Sequence, residues 1–264
     1  MSKIRIETLR EMKHRGEKIA ALTAYDFPTG RILDEALIEV ILIGDSAANV
    51  IYGYATTLPI GMPEMLYHTK AVAAGVKQAL VVADMPFLSY QVSVETAILN
   101  AGAFLKAGAE AVKIEGGEPV LETVERLVQL GIPVMGHLGL TPQSVHQFSG
   151  TKLQATTEAA QEHLLADARR LEAAGCFSLV LEKIPRELAR RVTEALAIPV
   201  IGIGAGPDCD GQILVLHDIL GMFERKLRFA KRYAEIGQAI RGAAAQYREE
   251  VRAGKFPAAE HSYE

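Results

Sequence analysis

Eight short apolar runs rich in Val, Ile and Leu punctuate the chain, and stretches with helical spacing lie between them. The runs are "IAALTAYD", "VILIGD", "ALVVADMP", "AVKIEGG", "IPVMGHLG", "SLVLEKIP", "IPVIGIG" and "ILVLHD"; "VETAILNAGAFLKAG" and "VLETVERLVQLG" are two of the helical stretches. Near-continuous apolar strands alternating with amphipathic helices build a parallel sheet covered on both faces. Eight such units in 264 residues predict an α/β fold, a (β/α)8 TIM barrel, because a doubly wound open sheet usually needs fewer strands. The leading "IETLREMKHRG" predicts an extra N-terminal helix and "FAKRYAEIGQAIRGAAAQYREEVRAG" a long C-terminal helix for packing or subunit contact. No Pro- or Ser-rich linker divides the chain, so residues 1–264 are expected to form a single domain.

Composition narrows the class of partner. A formal charge of -4 gives no electrostatic reason to bind nucleic acid, and the one basic stretch, Arg225 to Arg232, is expected on a helix surface. No apolar run approaches the ~18 residues of a membrane span, and the charged N-terminus lacks a signal-peptide core. Cys176 and Cys209 have no metal or redox spacing, so two free thiols in a reducing compartment are expected. Together these features predict a cytoplasmic protein.

One strand carries residues that an apolar strand should not. In "AVKIEGGE", alternation puts Val112 and Ile114 on one face, with Ala111, Lys113 and Glu115 on the other. In barrels of this kind the C-terminal strand ends form the active-site face. Asp26, Asp45, Asp84, Glu115, His137, Glu182 and Asp218 all fall at such ends. Asp45, Asp84 and Glu115 are each expected on the face of the residue two positions earlier, and Lys113 one layer below Glu115. A weak repeat supports the placement: "AGAEAVKIEGG" before "LGIPVMGHLG" resembles "AGCFSLVLEKIP" before "LAIPVIGIGAG", which makes Glu115 and Glu182 equivalent.

Converging carboxylates repel unless they are protonated or neutralised by a cation. An oxygen-only ligand set favours Mg²⁺ over Zn²⁺. The blander alternative for any single acid is a helix N-cap after its strand, and for Lys113 a lumen salt bridge. For Asp45, Asp84 and Glu115 taken with Lys113, the metal reading is preferred. His137, in "GHLGLTPQ", is either a hydrogen-bonded core histidine or a site residue, and its place after a strand favours the site. "GIGAG" at 202–206 is a weak candidate for a phosphate cradle.

The motifs "TAYD", "GDS", "TLP", "YHTKAV", "ADMPF", "VKIEGG", "GHLGLTPQS" and "IPVIGIGAG" followed by "DGQILVLHD" occur in this order across nearly the whole chain. In this set the chain resembles the ketopantoate hydroxymethyltransferase family. The resemblance implies a barrel assembling as a homodecamer and using Mg²⁺, one per subunit. It implies transfer of a hydroxymethyl group from 5,10-methylenetetrahydrofolate to 3-methyl-2-oxobutanoate, giving 2-dehydropantoate for pantothenate biosynthesis through an enolate. It further implies Asp45, Asp84 and Glu115 as metal ligands, substrate contacts from Asp45, Ser46, Asp84, Lys113 and His137, and Glu182 as proton acceptor. The chain departs from the family pattern at Ala47 and Asn49, at "TLPIGMPEM" and at "FSGTKLQAT", in loops that bear on folate binding and lid behaviour. The alternative activity is a metal-dependent 2-oxo acid carbon–carbon lyase of the isocitrate lyase and phosphoenolpyruvate mutase type. Such lyases commonly carry a cysteine-bearing active-site loop, whereas neither Cys176 nor Cys209 ends a strand. A non-catalytic binding barrel is a third reading, opposed by the presence of Lys113, Glu115 and Glu182 together.

Overall fold

A computed structural model describes residues 3–263. Eight parallel strands close into a barrel in chain order: β1 Ile19–Thr23, β2 Val40–Ile43, β3 Leu80–Asp84, β4 Ala111–Glu115, β5 Val134–Gly139, β6 Ser178–Glu182, β7 Val200–Ile203 and β8 Gly211–Leu214. Around them run α1 Ile6–Arg15, α2 Phe27–Glu35, α3 Ala47–Val50, α4 Met62–Gly75, α5 Val94–Lys106, α6 Leu121–Gln129, α7 Glu158–Ala173 and α8 Arg186–Ala195. The (β/α)8 expectation therefore holds, with one local exception. Residues 204–210 alone join β7 to β8, and none of them is helical. The "GIGAG" turn consequently has no helix N-terminus behind it with which to hold a phosphate.

The chain divides into two compact units, Met1–Val215 and Leu216–Glu264. The first contains the whole barrel. The second contains α9 Leu216–Ile219 and α10 Ile236–Arg252, so the long C-terminal helix is present but starts later than "FAKRYAE" suggests. The basic stretch 225–232 is irregular rather than helical. Arg232 turns back to the carbonyls of Phe223, Glu224 and Arg225 and pairs with Glu235, which fixes a loop where periodicity alone reads helix. "ILVLHD" likewise leaves the strand early, and its Asp218 lies in α9.

The extra N-terminal helix closes the floor of the barrel. Leu9 and Met12 of α1 join Ile19, Val40, Leu80, Ala111, Met135 and Ile201 in one buried cluster. Their burial is the main stabilising term at this end, at roughly 25 cal/mol per Å² of apolar surface. Lys13 fastens the helix by donating from Nζ to the carbonyls of Thr193 (2.9 Å) and Ile198 (3.0 Å) and to Asp210 Oδ2 (2.8 Å). With its floor apolar and plugged, the barrel can bear polar side chains only towards the opposite, C-terminal mouth. Among the described residues no helix is long and apolar enough to cross a membrane.

Asp34, buried at the end of α2, fixes the start of β3. Its Oδ1 accepts from the N–H groups of Gln78 (2.8 Å) and Ala79 (2.7 Å), and its Oδ2 from that of Lys77 (3.0 Å). Burial alone would raise its pKa, but these three donors and Lys3 outweigh it and hold the carboxyl below its ordinary value. Because the folded pKa is the lower one, the stabilisation is complete above the unfolded pKa of about 4 and is lost as pH falls through the folded pKa. Asp34→Ala is expected to lower stability by about 2–3 kcal/mol at neutral pH, since it strands backbone donors. Urea titration at neutral and acidic pH checks both statements, the difference from wild type shrinking on acidification.

Candidate active site

The register of the barrel sets which side chains meet. Asp84 pairs with Lys113, Lys113 with Met135, Glu115 with His137, and Gly139 with Glu182. Since alternate residues share a face, Val82 and Asp84, Ala111, Lys113 and Glu115, Met135 and His137, and Val180 and Glu182 all point into the lumen. The apolar members form the lower layer and belong to the buried cluster above the α1 floor. The polar members form the upper layer. Asp84, Glu115 and Glu182 are the last residues of β3, β4 and β6, so the equivalence of the two glutamates is real.

Asp45 reaches the same place by a different route. Leu42 pairs with Val82 and Ile43 with Ala83, so the lumen face of β2 is that of Val40 and Leu42. The alternation argument therefore fails for Asp45, which shares its parity with outward-facing Ile43. The strand ends at Ile43, and the following turn swings Asp45 inward, where its N–H donates to Asp84 Oδ2 at 3.1 Å. A Cβ at Gly44 would lie 2.5 Å from Ser46 Oγ, so glycine there leaves the Ser46 hydroxyl where it is. Gly139 plays a similar part beside Glu182, with φ +92° and a Cβ position only 2.2 Å from the Glu182 carbonyl oxygen.

Lys113 stands at the centre, about 4 % exposed. Its Nζ lies 2.8 Å from Asp84 Oδ1, 3.5 Å from Glu115 Oε1 and 3.0 Å from His137 Nδ1. His137 Nδ1 is also 3.3 Å from Glu115 Oε1, and its Nε2 is 3.5 Å from Glu182 Oε2. When neutral, the imidazole accepts from Lys113 at Nδ1 and turns Nε2–H towards Glu182; when protonated, Nδ1–H can donate to Glu115 instead. Glu182 is the most open member, with its side chain 14 % exposed. Ser46 borders the group, and its Oγ is 2.9 Å from the hydroxyl of buried Tyr25.

Of the other two acids read at strand ends, Asp26 proves to be a helix cap. It precedes α2 and accepts from Thr29 N–H at 2.8 Å and Thr29 Oγ1 at 2.7 Å. Asp218, in α9, falls outside the barrel unit. Two residues that sequence reasoning passed over belong to the cluster. Gln143, on a 3-10 turn at Pro142–Ser144, donates from its backbone to Glu115 Oε2 (3.0 Å) and from Nε2 to Asp45 Oδ2 (3.0 Å). Tyr90 donates its hydroxyl to Gln143 Oε1 at 2.8 Å. The only available signal was the position of Gln143 within "GHLGLTPQS".

The electrostatics follow from three carboxylates and one ammonium in a dry space. Burial opposes charge on Lys113, but Asp84, Glu115 and Asp45 outweigh it and raise its pKa, so it stays an ammonium. Burial, followed by the Asp84 and Glu115 charges, holds the Asp45 carboxyl well above its ordinary range. Asp84 is raised too, chiefly by burial and against the pull of Lys113. Burial would also raise Glu115, but Lys113, His137 and the Gln143 N–H together hold it below the ordinary value. One lysine thus leaves the carboxylates incompletely neutralised.

That residue of negative charge suits a cation. The donors are hard oxygens, and the buried Asp84 Oδ1 and Glu115 Oε1 are met only by ion-pair contacts, with Lys113 for both and with His137 for Glu115. Among the described residues, however, no group of three or more His, Cys, Asp or Glu side chains is arranged to hold a metal ion. The set therefore fits a cation that takes few protein ligands and completes its shell from water and substrate, as Mg²⁺ does.

The comparisons with known proteins agree with the motifs. Residues 3–259 match the family model described as ketopantoate hydroxymethyltransferase. A 3-methyl-2-oxobutanoate hydroxymethyltransferase of Moorella thermoacetica is 54% identical over 99% of this chain and 98% of its own length. Its counterpart in Caldicellulosiruptor saccharolyticus is 51% identical over 100% of both chains. Among solved structures, a 2,3-dimethylmalate lyase of the PEP mutase/isocitrate lyase superfamily superposes with a TM-score of 0.62, covering 96% of this chain and 89% of that one at 19% identity. A phosphonopyruvate hydrolase in complex with oxalate and Mg²⁺ also gives 0.62, over 99% and 93%, at 14% identity. These two likenesses concern the fold alone. The full-length match and the shared identity place the chain in the ketopantoate hydroxymethyltransferase family.

Proposed function

We propose that the chain transfers a hydroxymethyl group from 5,10-methylenetetrahydrofolate to 3-methyl-2-oxobutanoate, forming 2-dehydropantoate. The observation that carries this reading is the buried Lys113 ammonium set against Asp84, Glu115 and His137, with Glu182 on the open side of the same cluster. Asp45, Asp84 and Glu115 would hold one Mg²⁺, directly or through water. When bound, it supplies Lewis-acid polarisation of the keto oxygen.

The protein's own groups account for the remaining steps. Lys113 places a positive charge where the oxygens of a 2-oxo acid meet the cluster, and that charge is worth most at the moment negative charge grows on the keto oxygen. His137, Asp45 and Ser46 border the same space, and the Tyr25 contact orients the Ser46 hydroxyl towards its partner. Glu182 takes the C3 proton, its carboxylate being reachable from the mouth while its neighbours are tied down. Water takes the one-carbon unit from the folate as formaldehyde, breaking both C–N bonds and leaving tetrahydrofolate. The enolate carbon attacks that carbonyl carbon, and its oxygen takes back the proton held by Glu182 to become the new hydroxyl. The lyase alternative gains nothing from the thiols. Cys176 and Cys209 are both buried, and burial pushes the Cys176 thiol up to about 12. We further propose a cytoplasmic homodecamer.

Asp84→Ala is expected to abolish Mg²⁺-dependent keto-acid binding and turnover in a protein destabilised by about 3–5 kcal/mol yet still folded. Calorimetric titration with Mg²⁺ and 3-methyl-2-oxobutanoate measures it, and unchanged binding would remove Asp84 from the metal set. Glu182→Gln should lower turnover by about 10²-fold or more while keto-acid binding survives. Turnover at the wild-type rate would place the base elsewhere. Light scattering should give a mass near ten subunits, and a species of 28.6 kDa would reject the decamer.

A further inference from the structure

Each of the three carboxylates Asp45, Asp84 and Glu115 has one oxygen held by an N–H donor. Asp84 Oδ2 accepts from the Asp45 N–H at 3.1 Å, Asp45 Oδ2 from Gln143 Nε2 at 3.0 Å, and Glu115 Oε2 from the Gln143 N–H at 3.0 Å. For Asp84 and Glu115 the other oxygen, Oδ1 and Oε1 respectively, has no such N–H tie from Gln143 or the backbone and faces Lys113, with His137 also beside Glu115 Oε1. Two of the three ties come from one residue. We propose that Gln143 is a positioning residue that selects which oxygen of Asp45 and of Glu115 is presented to the cation and keto acid. This rests on the metal reading above.

The Gln143 amide is itself held in one orientation. Its Nε2 donates to Met85 O at 2.9 Å as well as to Asp45, and its Oε1 accepts from the Tyr90 hydroxyl at 2.8 Å and from Gln91 Nε2 at 3.2 Å. A flipped amide would set its oxygen against two acceptors, Met85 O and Asp45 Oδ2, and its NH₂ against the Gln91 donor, so the partners fix the assignment. The Tyr90 hydroxyl also accepts from the Glu115 N–H at 3.2 Å, which closes the network back on β4. Gln143 is about 5 % exposed, so water cannot stand in for a lost partner. A carboxylate released from such a tie is free to rotate, offering either oxygen or neither. The metal pays in affinity, as when outer partners of metal ligands are removed elsewhere.

Gln143→Met tests the side-chain tie. It keeps the length and the backbone N–H to Glu115 but removes every bond made by the amide. Titration of Mg²⁺ into the full-length protein with saturating 3-methyl-2-oxobutanoate should show a Kd about 10-fold weaker or more. A merely structural role would lower the melting temperature and the folded fraction, yet leave the Kd of the folded fraction unchanged. Tyr90→Phe, which spares the amide and all three carboxylates but removes the hydroxyl's bonds to Gln143 Oε1 and to the Glu115 backbone, should weaken Mg²⁺ in the same direction by about 3-fold or more. It decides the matter if Gln143→Met does not fold. Wild-type binding with both variants, or the folded one, within about twofold overturns the role of Gln143. Absence of Mg²⁺ binding in the wild type would overturn the metal reading and this inference with it.

Discussion

The buried ion pair between Lys113 and Asp84, 2.8 Å long, is the contact on which the upper half of this barrel depends. An ammonium in a dry lumen is costly unless opposite charges surround it. Here Asp84, Glu115 and Asp45 do so, and each of those acids would in turn be costly without the lysine. The arrangement is mutual, and breaking one partner leaves an uncompensated buried charge, a loss of about 3–5 kcal/mol in comparable pairs. The barrel below makes the arrangement tenable. Its lower layer is apolar, its floor is plugged by Leu9 and Met12, and the strand register delivers Asp84 and Lys113 to adjacent positions.

Much of this was legible in the sequence because a strand displays its alternation directly. "AVKIEGGE" gives Lys113 and Glu115 on one face, and the register confirms that face as the lumen. The same rule failed where the strand stopped. β2 ends at Ile43, so Asp45 enters the site from a turn whose direction alternation cannot foretell. Asp26 had the same outward signature as Asp84, yet its side chain caps α2. Distinguishing a cap from a site acid needs the neighbours across the barrel, which no single segment contains. Gln143 and Tyr90 were hidden for a related reason: each comes from an irregular segment, and each matters only through contacts with strands far away in sequence.

The barrel is shared with a lyase and a hydrolase of very different sequence, as the superpositions at under 20% identity show. Such a fold supplies a mouth and little chemistry. What distinguishes this chain is the content of its upper layer and the residues that orient it. The family match and the relatives of about the same length tie that content to hydroxymethyl transfer. In the proposed reaction the cluster ionises C3 of a 2-oxo acid before any one-carbon donor takes part.

Proton NMR of 3-methyl-2-oxobutanoate in D₂O tests that claim most directly. With protein and Mg²⁺ present and folate absent, the C3 signal should disappear and the methyl doublet collapse to a singlet, at a rate that falls to the background when Mg²⁺ is chelated. Persistence of the C3 proton under these conditions, in a preparation that makes 2-dehydropantoate once 5,10-methylenetetrahydrofolate is added, would contradict stepwise ionisation by Lys113, Glu182 and their neighbours.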